Sequence, residues 1–337
     1  MSAEPTTARP AARPATGALG EEAVAGSARL HVAGFQRARI QAAMAEACVE
    51  LGAPHVTVAE VTSRAVISRR TFYEMFDGVE GCLLATLADA LAEAGARADA
   101  AWAGATDWRE RMRAALVALL AYGEEKPAVA RLLVVESLAA GRNALELRAD
   151  ALARMERALA QGRSAGAGAG GCASPPELLE QGVLGGVLGV LYGKLSEPGQ
   201  PRLLALANQL MALIALPYLG AAAAAAELKR PRPAAPRARA SAGNPLAGVA
   251  MRLTYRTMRV LIAIGEHPGA SNRTIARAAG IDDQGQMSKL LRRLRELGLI
   301  ENTRTQRVSG TPNAWRLTGR GEELRRTIAV SSSTSSD

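Results

Sequence analysis

Residues 57–76 read Thr57-Val-Ala-Glu60-Val-Thr-Ser-Arg64-Ala-Val66-Ile67-Ser68-Arg69-Arg70-Thr71-Phe72-Tyr73-Glu74-Met75-Phe76. Thr57-x-x-Glu60 is a capping box: the threonine oxygen accepts from the amide near Glu60, and the glutamate reaches back to the Thr57 amide. The spacing predicts a short helix from Val58 to about Ala65, a turn at Val66-Ile67, and a helix over 69–76 capped by Ser68. Phe72 and Phe76, four residues apart, share one face and should pack on the preceding helices. Arg69, Arg70, Thr71 and Tyr73 are then left facing outward. Arginine in the first turn of an exposed helix opposes the helix dipole, so the pair is favourable only with a partner such as phosphate or guanine. Guanidinium forks can bridge guanine O6 and N7, a threonine can meet a thymine methyl, and a tyrosine hydroxyl can reach phosphate. Thr57, Ser68, Arg69, Arg70, Thr71 and Tyr73 are therefore the candidate DNA-contacting residues here.

Upstream, Ile40, Met44, Ala47, Cys48 and Leu51 recur at helical spacing and Gly52 closes the segment, which predicts a support helix. Downstream, Asp77-Gly-Val-Glu-Gly-Cys-Leu-Leu84 opens a fourth helix. With the Thr57 cap, the Ser68-x-x-Thr71-Phe72-Tyr73 core and Phe76 all in place, residues 36–90 resemble the TetR family of transcription repressors. The resemblance implies a helical ligand-binding and dimerisation domain next. It also shows a departure: the lysine that the family places at the start of helix four, against a phosphate, is here Val79. Weaker phosphate anchoring is expected of this reader.

Helical patterns continue through Val79–Ala98, Trp108–Glu124, Pro127–Ala140, Asn143–Gln161, Pro175–Leu195 and Arg202–Leu228. Arg163–Ala173 reads as a flexible Gly/Ala loop. Gly182, Gly185, Gly186 and Gly189 recur at close to four-residue spacing, which leaves a flat groove for another backbone, in a dimer or within the chain. The resemblance implies the dimer, through the last two helices of the domain, Pro175–Leu195 and Arg202–Ala225. A ligand pocket is implied by the resemblance alone, with Trp102, Trp108, Tyr122, Met155 and Tyr192 as candidate lining; no residue identifies the effector.

A third region opens on Lys229-Arg-Pro-Arg-Pro-Ala-Ala-Pro-Arg-Ala-Arg239, an extended basic tether. Leu246–Gly265 then reads as a helix, Ser271 caps a short one ending at Gly280, and Ile281-Asp282-Asp283 turns into Gln284–Leu297. Met287, Leu290, Leu291 and Leu294 form the buried stripe of that third helix. Gln284, Gln286, Ser288, Lys289, Arg292 and Arg293 lie on or beside its exposed face, suited to adenine, guanine and phosphate. Two short strands, Ile300–Arg304 and Ala314–Leu317, with Arg304 ending the first and Arg307 in the loop between them, precede a closing helix Thr318–Ile328. Lys289-Leu-Leu-Arg-Arg-Leu-Arg-Glu-Leu-Gly-Leu-Ile300 is similar to MarR-type winged-helix domains. That resemblance implies DNA binding, with a protein-docking module as the alternative.

Charge separates the regions. The chain of 337 residues carries +9 overall. Residues 1–226 are close to neutral, whereas residues 227–337 hold twenty basic and nine acidic side chains, an excess that points to a polyanion partner. The three cysteines and three histidines are scattered without metal-ligand or disulfide spacing. Residues 1–28 lack the apolar stretch of a signal peptide, and Leu203–Ala226, interrupted by Asn208, Gln209 and Pro217, reads as a buried helix rather than a membrane span. No phosphate loop, nucleophile elbow or paired-carboxylate motif is present, so neither enzymatic activity nor a cofactor is expected.

The expectation is a mainly α fold: a disordered tail (1–28), a helix-turn-helix unit (29–91), an all-helical effector and dimerisation domain (92–228), a basic Pro-rich linker (229–244), a winged helix with a small β-hairpin wing (245–330) and a second tail (331–337). The expected partners are double-stranded DNA, an unknown small-molecule effector and a second copy of the chain, in the cytoplasm and without a membrane.

Overall fold

In a computed structural model of the chain, residues 16–165, 176–233, 255–303 and 313–330 are described. The chain forms two compact units, residues 37–241 and residues 1–36 with 242–337.

The N-terminal part of the first unit is set by capping and by one aromatic pair. Helix α1 spans Thr16–Leu51, α2 Val58–Ala65, α3 Arg69–Tyr73 and α4 Gly78–Ala103. Thr57 Oγ1 accepts from the Glu60 amide at 3.3 Å and Ser68 Oγ from the Thr71 amide at 3.0 Å, which starts α2 and α3 where expected. The reciprocal half of the capping box does not form, because Arg64 takes the Glu60 carboxylate at 2.6 Å. Phe72 and Phe76 are buried with ring centroids 5.8 Å apart, beside Ile40, Met44, Cys48 and Val61. Regular α-helix ends at Tyr73 rather than Phe76, although the Phe76 amide still donates to the Phe72 carbonyl at 3.0 Å. At its other end α1 takes in residues 16–28, expected as a tail; their alanines are strong helix formers. Residues 1–15 and 331–337 lie outside the described residues.

The helical domain is built from α5 (Trp108–Glu125), α6 (Pro127–Val134), α7 (Arg142–Ala160), the short α8 (Gly162–Ala165), α9 (Leu179–Ser196) and α10 (Ala207–Leu228). Glu136–Leu138 and Leu203–Leu206 are 3-10 turns. The expected boundary at 91/92 falls inside α4, which is continuous through it. Leu132 of α6 and Ala144 of α7 also enter the core of the N-terminal helices. Arg163, expected in a flexible loop, lies in α8 and pairs with Glu180 of α9 at 2.6 Å; residues 166–175 lie outside the described residues. Leu203–Leu228 is long and apolar enough to cross a membrane by composition, but Leu210, Met211, Ile214, Ala215 and Tyr218 are buried in the domain core.

Two features direct the end of α10. Pro217 and Gly220, the latter at φ 80°, kink the helix. Beyond the kink Glu227 is fully buried, its carboxylate 2.5 Å from Arg109 Nε and 2.6 Å from an Arg113 nitrogen. Arg113 also donates to Asn208 Oδ1 at 2.6 Å, while Asn208 Nδ2 donates to the Arg230 carbonyl at 2.6 Å. Arg230 itself pairs with Glu110, so the first residues of the expected tether are fixed to α5 rather than free. Residues 234–254 lie outside the described residues.

The second unit contains α11 (Tyr255–Glu266), α12 (Asn272–Ala278), α13 (Gln284–Glu296), β1 (Ile300–Asn302), β2 (Trp315–Leu317) and α14 (Gly319–Val330). The strands pair antiparallel with Glu301 opposite Arg316, and Ala270 bridges to Trp315 as a third edge. Met258, Ile264, Ile275, Met287, Leu291, Leu294, Trp315 and Leu324 are buried together, and Phe35 packs against them. Helix, helix, helix and hairpin wing make a winged helix, as expected.

Replacing Glu227 with Gln should lower the unfolding free energy of the full chain by about 3 kcal/mol, since removing the buried carboxylate leaves the half-buried Arg109 and Arg113 guanidinium groups uncompensated. Urea denaturation measures this; a change below about 0.5 kcal/mol would show that the network is dispensable.

Candidate functional site

Three places could carry function: the two helix-turn-helix surfaces and the interior of the helical domain. On the first, Arg69, Arg70 and Tyr73 are exposed along α3, with Tyr73 set edge-on to Phe72 at 5.5 Å between centroids. Arg70 Nε donates to Glu74 at 2.9 Å, an exposed pair that a stronger acceptor can displace. Thr57 and Ser68 spend their hydroxyls on caps, and Thr71 Oγ1 is 2.8 Å from Ser68 Oγ and half-buried. These three position the helix more than they present it, leaving Arg69, Arg70 and Tyr73 as the outward set. Val79 is half-buried against the aromatic core, so a packing side chain occupies the position that the TetR resemblance reserves for a phosphate-binding lysine. The turn before α3 holds a strained residue: Val66 has φ 52°, ψ 48°, a left-handed conformation that β-branched residues rarely adopt.

On the second surface Ser271 accepts from the Thr274 amide at 3.2 Å, and Asp283 from the Gly285 and Gln286 amides at 2.8 and 3.0 Å. The two amide contacts, that of Gln286 foremost, hold the Asp283 carboxyl below the usual carboxylate range. The cap thereby starts α13 with Met287, Leu291 and Leu294 inward, and Gln284, Gln286, Ser288, Lys289, Arg292 and Arg293 all exposed. The Gln286 side-chain oxygen Oε1 accepts from Arg256 of α11, which fixes that side-chain amide and adds an exposed arginine that the sequence does not single out. Arg293 stands 4.0 Å from Glu296. On the wing Arg316 is paired with Glu301 at 2.8 Å, whereas Arg304 and Arg307 lie outside the described residues.

Inside the helical domain are two adjoining apolar compartments of about 150 and 640 Å³, sharing Leu91, Leu116, Leu119, Met155, Leu184 and Val187 as a common wall. Of the expected lining, Tyr122 faces the smaller, Trp102 the larger and Met155 both. Tyr122 is committed elsewhere: its hydroxyl donates to Glu93 at 3.3 Å, Arg97 covers its ring at 4.8 Å, and burial raises its pKa. Trp108 does not line either compartment. Its indole N–H donates to the Ala158 carbonyl at 3.0 Å, and its ring packs on Tyr218 and against Gly162, where a Cβ would stand 2.5 Å from it. Tyr192 is 45% exposed on the outer side of α9 and also lines neither. The cationic side chains that do line the compartments, Arg148, Arg154 and Arg157 of α7, escaped the sequence reading because helical periodicity alone does not place a void beside them.

Gly182, Gly185, Gly189 and Gly193 of α9 are exposed with nothing within 4 Å of a built Cβ, and Gly186 has only Leu213 at 3.5 Å among the described residues. Val190, Leu213 and Leu216 are exposed on the same two helices. Cys48 and Cys82 are core residues whose thiols burial pushes up to about 12, which leaves them unreactive; Cys172 lies outside the described residues.

Residues 253–308 match the family model of the MarR family. No curated protein matches the chain. Among solved structures it is similar to the fatty acid degradation regulator FadR from Bacillus halodurans, at 17% identity over 53% of this chain and 94% of that one with a TM-score of 0.47. It is also similar to FadR from Bacillus subtilis in complex with stearoyl-CoA, at 14% identity over 52% and 96% with a TM-score of 0.43. A third is a tetR-family regulatory protein from Rhodococcus RHA1, at 19% identity over 55% and 97% with a TM-score of 0.45.

Replacing Val66 with Gly should stabilise the full chain by about 1 kcal/mol, because the left-handed penalty exceeds what the half-buried side chain contributes. Differential scanning calorimetry measures it; a lowered Tm would show that the valine packs better than it strains.

Proposed function

We propose that this chain is a cytoplasmic, homodimeric, ligand-responsive transcriptional regulator, a repressor that binds a palindromic operator through α3 and adds DNA contacts through α13. The observation that carries this reading is the pairing of two capped helices that bury their apolar stripe and expose cations without an ion pair among the described residues, Arg69 on α3 and Lys289 with Arg292 on α13. The basic excess of residues 227–337 supports a larger share of phosphate contact for the winged helix, and the packed Val79 supports a smaller share for the first reader.

Dimerisation through α9 and α10 is supported by the uncovered glycine face and the exposed Val190, Leu213 and Leu216 beside it; Tyr192 belongs with this face rather than with the ligand. A two-fold pair of α3 helices would meet successive major grooves about 34 Å apart. Ligand response has a short physical route. Helix α6 lines the smaller compartment with Leu133 and Val134 while its Leu132 is buried in the core that holds α3, so a molecule that shifts α6 also shifts the recognition helix.

In titrations of operator DNA, Arg69→Ala and Lys289→Ala should each weaken binding and reduce the slope of log K against log salt by about 1. An unchanged slope for Lys289→Ala together with Arg292→Ala would assign the winged helix to protein docking instead. Gly189→Arg should convert the dimer to a monomer by sedimentation and weaken operator binding more than tenfold, roughly the loss of one half-site's contribution. A dimer that survives the substitution would place the interface elsewhere.

A further inference from the structure

We propose that the interior compartments bind an apolar carboxylate whose anionic group pairs with Arg148 and whose apolar body runs past Met155 into the larger compartment. This rests on reading the helical domain as the effector-binding part of a regulator, and it names the effector's chemistry.

The smaller compartment is walled by leucine, valine, alanine, glycine and Met155, and only Tyr122, Ser137 and Arg148 bring polar side chains to it. Ser137 Oγ donates to the Leu133 carbonyl at 2.7 Å, and the Tyr122 hydroxyl donates to Glu93, so both are spent. Arg148 spends one nitrogen on the same Leu133 carbonyl at 3.0 Å. No carboxylate pairs with it among the described residues, and burial draws its pKa down. A half-buried arginine that lines an apolar compartment without a counter-charge among the described residues is costly in the empty protein. A carboxylate supplied from outside removes that cost through charge-assisted hydrogen bonds in a low-dielectric setting.

Arg148 stands on the face of α7 that continues through Ala151, Leu152 and Met155, all lining residues, so an apolar track runs from it toward the larger compartment. Arg154 and Arg157 line the larger compartment but are exposed, where water already solvates them, and an ion pair there contributes little. The size of the larger compartment, about 640 Å³, suits the body of a medium-length molecule rather than a small anion such as acetate.

The test uses the full chain without DNA, so it succeeds or fails independently of operator binding. Isothermal titration with decanoate and with decanol compares two bodies of equal length that differ in the anion. Decanoate should bind at least about tenfold more tightly than decanol, the range of one charge-assisted contact. Arg148→Met should bring the two within about threefold, and Arg148→Lys should keep part of the preference. Met155→Trp, which fills the shared wall and leaves the cation in place, should abolish binding of decanoate. Equal affinities in the parent chain, a preference retained in Arg148→Met, undiminished binding by Met155→Trp, or no binding of decanoate at all would each overturn the proposal.

Discussion

The carboxylate of Glu227 has no exposure, and its position decides how the helical domain closes. Arg109 and Arg113 of α5 converge on it, and Arg230, just beyond the end of α10, pairs with the neighbouring Glu110. A buried carboxylate is tolerable only when charge and hydrogen bonds replace water around it, and here Arg109 and Arg113 provide both. Because those two residues open α5, and α5 packs along α4, the network ties the end of the domain to its central helix pair. The kink at Gly220 is the geometric condition for it: a straight α10 would carry Glu227 along a different line.

The same device recurs around the interior. Glu93 of α4 receives Lys126 at 2.7 Å and Arg97 at 2.9 Å, and Arg97 also reaches Glu125 of α5 at 2.6 Å. Glu180 joins Arg163 and the Tyr218 hydroxyl, and the arginine beside it holds its carboxyl below the usual range. In a chain with 3% aromatic residues the helices have few large side chains with which to interlock. Polar clamps at the ends of helices therefore fix spacing that leucine and alanine alone leave loose, and voids persist between the clamps.

Local features were legible in the sequence. The caps at Thr57, Ser68 and Ser271 act within three residues, and the stripe of Met287, Leu291 and Leu294 follows from helical period alone, whereas Asp283 read only as part of a turn and proves to cap α13. Features set by distant partners were not. Glu60 had two possible partners, and Arg64, one turn on, won over the amide behind it. Trp108 looked like a ligand platform, but the bare backbone of Gly162 gives its ring a tight seat in the core. Tyr192 and Trp102 are indistinguishable as residues in a helix, and only the positions of α9 and α4 put one outside and the other beside a void. Arg148 reads as an ordinary charged helix residue until the compartment next to it is seen.

The glycines of α9 carry a cost that the rest of the helix must offset. Five of its eighteen residues are glycine, each less favourable than alanine in a helix interior by about 1 kcal/mol. Val183, Leu184 and Val187 anchor one side to the core, and the other side has no cover of its own within the described residues. Order in this helix is thus borrowed from its contacts. In the dimer proposed above a second copy would supply them, folding and association would become one equilibrium, and the resistance of this domain to heat would become a function of how much of the protein is present.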